Sequence, residues 1–186
     1  GGADAGGAVW TDPYADALRN MDLSSLKEVN GDVTGWICVP NTAVSYPMVY
    51  GAARDSTFYL NHNWAGNNSI VGAIFIDPAN SPSMKNFNTV IYGHNMNNGS
   101  MFGTLKNFRS QKYYAAHPNI YITTESGAAC YQIFSAYEVS TEGTSYQLRF
   151  GSQQERQDFI DFCLAQSVIS TGVTPTANDH IVTLST

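Results

Sequence analysis

The chain has 186 residues, enough for one domain with a real core, and no internal linker divides it. Hydrophobic residues make up 43% and charged residues only 13%, which excludes a disordered chain. The net charge is −6 and Lys and Arg are not clustered, which excludes the basic surface that nucleic acid needs.

In chain order, residues 1–11 read as a flexible glycine-rich lead, 12–31 as a helical segment and 32–186 as one β-rich domain. Asp12 followed by Pro13 predicts an N-cap, with Tyr14, Leu18 and Met21 at helical spacing. Ser25-Leu26-Lys27-Glu28 predicts a capping box for a second helix that Gly31 ends. The period then changes to strands at Gly35–Val39 and Val44–Tyr50, with Pro47 marking an edge or bulge. Further strands are expected at Gly72–Asp77 and Thr89–Tyr92, and a hairpin of Ile120–Thr123 with Ala129–Val139. Met101, Leu105 and Phe108 are spaced as on a helix over Ser100–Phe108. Ser152-Gln153-Gln154-Glu155 is a capping box opening the clearest helix, with Phe159, Phe162, Cys163 and Gln166 on one face. A final strand covers Ile181–Ser185. Short strands with a few helices predict a closed or nearly closed β-barrel.

Cys38, Cys130 and Cys163 have no metal-ligand spacing and an odd count, so they read as core or strand residues. No i, i+4 histidine pair supports a zinc site. No stretch reaches the roughly 18–20 apolar residues of a membrane span.

His94 is the sharpest candidate for chemistry. It stands where the apolar strand Thr89–Tyr92 meets Asn95-Met96-Asn97-Asn98-Gly99, and a strand tip is a rigid platform facing a cleft. Imidazole titrates near neutrality and can take and return a proton. His62, in a solvated turn, and His117 and His180, at loop and strand entries, read as structural or exposed. A serine hydrolase built on Ser185 or Ser100, with Asp77 or Asp179 as orienter, lacks any G-x-S-x-G elbow.

Several segments in order resemble class B sortases: Gly35-Trp36-Ile37, Tyr46-Pro47, Phe58 to Asn63, Gly72 to Asp77, Asn88 to Met96, Ser100-Met101-Phe102, Ile133 to Tyr137, and Thr183-Leu184-Ser185-Thr186. The resemblance runs from about Asp32 to Thr186 and implies an eight-stranded sortase-type barrel, mainly β, with N-terminal helices and a long helix before the last strand seen here. It implies a cysteine transpeptidase of a Gram-positive bacterium. The enzyme would cleave a cell-wall sorting signal after Thr and pass the acyl group to an amine of a cell-wall precursor or pilin. A thioester is activated enough for such aminolysis. His94 matches the family histidine. The nucleophilic cysteine and the arginine are expected beyond Thr186, so the chain up to Thr186 is expected to be inactive. Arg54, Arg109, Arg149 and Arg156 do not stand at the family's arginine position. By similarity the peptide groove takes Leu60, Ser56, Thr141, Tyr146 and Ser185, with Ser56 standing where asparagine is expected. The resemblance implies no cofactor and no metal, an N-terminal membrane anchor, and an extracytoplasmic location. The rival reading is a non-catalytic sortase-like module that binds peptide or wall components.

Overall fold

The computed structural model describes residues 17–139 and 143–186. The predicted Asp12–Pro13 helix start lies outside the described residues. Its continuation is helical at 17–19, where Leu18 is buried. The elements that follow are α1 (Ser24–Val29), β1 (Val33–Cys38), β2 (Ser45–Val49), β3 (Ile74–Ile76), β4 (Asn88–Tyr92), α2 (Gln111–Ala116), β5 (Asn119–Thr124), β6 (Gly127–Gln132), α3 (Gln153–Gln166) and β7 (Ile181–Ser185). Short 3-10 turns occupy Phe58–Leu60, Leu105–Arg109 and Thr144–Tyr146.

Seven strands form one sheet in the order β6-β5-β1-β2-β3-β4-β7. Pairings are antiparallel except β2 with β3 and β4 with β7, which are parallel. All seven strands send side chains into one cluster: Ile37, Met48, Ile74, Ile91 and Ile122 are buried there, and Tyr131, Val182 and Leu184 pack against them. A sheet whose first and last strands feed the same core has curled into a barrel. β6 and β7 do not pair, so the barrel is nearly closed, and seven strands are seen among the described residues where eight are expected.

Three smaller clusters cover the outside of the barrel. Leu18 packs with Cys38 and Tyr121, seating the N-terminal segment on β1 and β5. Phe159, Ile160 and Cys163 of α3 pack on Phe87 and Ile181. Tyr59 and Phe75 bury a third face, with Phe58, Trp64 and Tyr92 against them.

Several local expectations shift. The box at Ser25 is not formed: the N-cap is Leu23, two residues earlier, and the Ser24 amide donates to Asp22 Oδ1 at 2.9 Å. Ser100–Phe108 is not a continuous helix, because Met101 sits at φ 56° and only Leu105–Arg109 winds, as a 3-10 turn. Tertiary contact overrides the spacing there: the Met101 amide donates to Tyr46 Oη at 2.8 Å. The hairpin turns at Glu125-Ser126, and β6 ends at Gln132 rather than running to Val139. Pro47 faces Trp36 on β1, while β3 pairs only with Met48 and Val49, so the proline lies where β2 is an edge. The box at Ser152 forms: Ser152 Oγ accepts from the Glu155 amide at 3.1 Å, and Glu155 reaches back to the Gly151 amide at 2.6 Å.

Candidate active site

β4 and β7 run parallel, with Thr89 opposite Val182 and Tyr92 opposite Ser185. The Gly93 amide donates to the Ser185 carbonyl at 3.0 Å, so the two strand tips end side by side. His94 follows immediately and is held from three directions. Its carbonyl accepts from the Phe102 amide at 2.9 Å, which closes the turn that starts at Asn95. Its ring Nε2 lies 2.7 Å from the Leu60 carbonyl. Gly72 presses against the ring edge: a Cβ there would come within 2.9 Å of His94 Cδ2. A carbonyl only accepts, so Nε2 carries a proton and Nδ1 is left as the atom that can gain or lose one.

The segment that supplies Leu60 is built on a hydrogen-bonded tyrosine. Tyr59 Oη donates to Asp32 Oδ2 at 2.7 Å and accepts from Asn30 Nδ2 at 2.9 Å. Arg54 Nε also binds Asp32 Oδ2, at 2.6 Å. Burial, reinforced by the Asp32 carboxylate, pushes the Tyr59 phenol up to about 12, while hydrogen bonding to Asp32 raises the Arg54 guanidinium. His62 is not a solvated turn residue. It is half-buried, stacks on Phe58 with centroids 3.7 Å apart, and donates from Nδ1 to the Phe58 carbonyl at 2.7 Å.

The other wall is the 3-10 turn Thr144–Tyr146. Tyr146 Oη is 2.8 Å from Ser185 Oγ, and its ring lies parallel to that of Tyr92 with centroids 6.2 Å apart. Tyr92 Oη donates to Asp77 Oδ2 at 3.0 Å; burial, with the Asp77 charge acting the same way, raises its phenol well above the usual tyrosine value. β4 and β7 thus form the floor, with Leu60 on one side and Tyr146 on the other.

The structure brings His94, Leu60, Tyr146 and Ser185 to one face. Ser56 is exposed between Asp55 and Thr57, in the turn before Phe58. Thr141 lies outside the described residues. Sequence reasoning missed Tyr92 and Asp77 as the residues that support Tyr146 at this face. The cue was present: Tyr92 ends the apolar strand two residues before His94.

Competing chemistries find no geometry. Ser185 Oγ is engaged with Tyr146 and Ser100 Oγ with Asn98, so no serine–histidine pair forms at His94. Among the described residues, no group of three His, Cys, Asp or Glu converges to hold a metal ion. Cys38 and Cys163 are buried and Cys130 is half-buried. Burial raises the Cys163 thiol. His117 Nδ1 bonds the Tyr113 carbonyl at 2.9 Å and His180 Nδ1 the Asn86 carbonyl at 3.1 Å, which are local structural roles.

The result is a nearly closed barrel with a histidine just past the tip of β4, beside the C-terminal end of a parallel neighbour. The Sortase domain family matches residues 37–186. Sortase B of Listeria monocytogenes is 34% identical over 185 residues, covering 96% of this chain and 74% of that protein. Two solved structures, a Staphylococcus aureus sortase B–substrate complex and a sortase B complexed with triglycine, each superpose with a TM-score of 0.84 at 32% identity, covering 88% of this chain and 76% of theirs. The chain belongs to the sortase family, class B, whose members are cysteine transpeptidases. The relatives favour the enzyme over the non-catalytic module.

Proposed function

We propose that this sortase cleaves a sorting-signal peptide after its threonine and passes the acyl group to an amine of a cell-wall precursor or pilin, with His94 managing the protons. The observation that carries this is the β4–β7 register. It puts Ser185 opposite Tyr92; if the pairing runs on, the position after Thr186 would fall beside His94. That position is where the family resemblance expects the nucleophilic cysteine.

The steps are those that the family resemblance implies. The thiolate attacks the threonine carbonyl, and the carbon–nitrogen bond of the signal breaks as His94 delivers a proton from Nδ1 to the departing amine. The resulting thioester is then attacked by the incoming amine, whose proton His94 takes up as the thiolate leaves. An arginine beyond Thr186 is the expected donor to the developing oxyanion. Ser185 shares a face with the nucleophile position, two residues apart on one strand. Leu60 and Ser56 line the groove with Tyr146, and the family resemblance assigns Thr141 to it as well.

Relatives captured with a substrate and with triglycine support a peptide donor and an amine acceptor in general. Sortases act at the cell surface; an extracytoplasmic position at the membrane is the reading we favour here. Among the described residues, no helix is long and apolar enough to cross a membrane.

The test is cleavage of signal peptides of the Asn-Pro-X-Thr and Ser/Pro-Pro-X-Thr types by the full-length protein, with triglycine as acceptor. Turnover should fall by at least about 100-fold in His94→Ala, the usual scale for a general acid–base residue. Near-normal turnover in that variant would remove His94 from the mechanism.

A further inference from the structure

The turn that presents Tyr146 rests on one buried side chain of the barrel. Asn88, the first residue of β4, is 0% exposed. Its Nδ2 donates to the Gln147 carbonyl at 2.9 Å and to the Ser145 carbonyl at 3.5 Å. These are the carbonyls on either side of Tyr146. Its Oδ1 accepts from Thr183 Oγ1 of β7 at 2.7 Å. Carbonyls only accept, so the amide cannot be turned over: the nitrogen must face the turn and the oxygen must face Thr183.

The same residue is fixed through its main chain. Its carbonyl accepts from Asn80 Nδ2 at 2.9 Å, and Asn80 Oδ1 accepts from the Val90 amide at 2.9 Å. A second bond holds the turn from the α3 side, where Tyr137 Oη lies 2.7 Å from Ser145 Oγ. Burying a primary amide is costly unless its bonds are made, and an apolar residue would fill a core position without that cost. What the amide adds is directional: it ties β4, β7 and the turn into one register.

We infer that Asn88 is a positioning residue for the reaction, holding Tyr146 against the peptide groove and, through Thr183, coupling that wall to the strand that leads to the nucleophile position. The inference rests on the reading of Tyr146 as a residue that grips the peptide. Asn88 acts through Tyr146 and touches no substrate.

Steady-state kinetics of the full-length enzyme with a signal peptide separate the possibilities. Asn88→Ala is expected to raise KM about tenfold while kcat stays within about twofold, the scale of one lost buried hydrogen-bonding group. The double variant Asn88→Ala/Tyr146→Ala should match Tyr146→Ala alone in kcat/KM to within about twofold, because the two residues act as one unit. Thr183→Val keeps the shape and removes only the hydroxyl, and should raise KM about threefold. Hydrogen exchange should quicken at 143–147 in Asn88→Ala and stay unchanged at 33–49.

An unchanged KM in Asn88→Ala, a loss carried wholly by kcat, or losses that multiply in the double variant would each overturn the inference. If Asn88→Ala does not fold, Thr183→Val decides, and an unchanged KM there overturns it equally. A Tyr146→Ala enzyme with normal KM would instead overturn the gripping role of Tyr146, and the positioning role with it.

Discussion

Gly72 lies against the edge of the His94 imidazole so closely that a methyl group on its α-carbon would come within 2.9 Å of Cδ2 and 3.0 Å of Nε2. The same methyl would stand 2.6 Å from the Tyr59 carbonyl, and Gly72 holds φ at +63°, a backbone conformation that favours glycine. Only the absence of a side chain lets the loop pass beneath the histidine and leave its Nε2 on Leu60.

Gly72→Ala is therefore expected to act on both stability and catalysis. The left-handed backbone and the clash with a fixed carbonyl should cost about 1–3 kcal/mol. Displacing the ring from Leu60 should lower kcat more than it raises KM. Thermal unfolding and peptide kinetics on the same preparation check this; full kcat with a lowered Tm would mean that the ring position is not catalytically strict.

Tyr146 separates into a ring and a hydroxyl. Tyr146→Phe keeps the face that lies parallel to Tyr92 and loses the bond to Ser185, so peptide KM should rise by about threefold. Tyr146→Ala loses both and should raise KM by about tenfold or more, with Tm nearly unchanged, because aromatic anchors dominate such contacts. A Tm drop as large as that of a core substitution would assign the ring to folding instead.

The protein should lose stability in strong alkali. Burial keeps the phenols of Tyr59, Tyr92, Tyr131 and Tyr137 and the thiol of Cys163 protonated in the fold to higher pH than in the unfolded chain. The unfolded state therefore releases its protons first, so this stabilisation is complete below about pH 9 and is lost as pH climbs through the folded values, about 12 for Tyr59. Urea midpoints at pH 8, 10 and 11 should fall in that order; a flat series would contradict the burial of these groups.

A thiol probe should discriminate among the three cysteines. Cys163 is buried with a raised thiol, and Cys38 is buried in β1, so both should label slowly at pH 7, with Cys130, half-buried on β6, ahead of them. Rapid labelling of Cys163 in the native state would show that α3 opens from the barrel.

At the N-terminus of α3, Ser152→Ala should cost about 1 kcal/mol, because the Glu155 amide loses its acceptor. Chemical denaturation measures it, and peptide kinetics should be unaffected.

What the sequence determined by itself is whatever local chemistry decides. The Ser152 capping box, the packed stripe of Phe159 and Cys163, the apolar strand ending at His94 and the Thr183–Thr186 segment each carry their meaning within a few residues. The order of such segments was enough to point to the family. What only the tertiary structure decided depends on residues far apart in the chain. Leu60 meets His94 across 34 positions, and Tyr146 meets Ser185 across 39. The predicted helix at Ser100–Phe108 gave way because Tyr46, 55 positions away, takes the Met101 amide. Nothing local in the sequence marks the role of Asn88, since a buried amide draws its role from the carbonyls that the fold brings to it. Periodicity and capping are local energies and can be read from a string. The close approach of Gly72 to His94 and the pairing of β4 with β7 are long-range contacts, and only the closing of the barrel creates them.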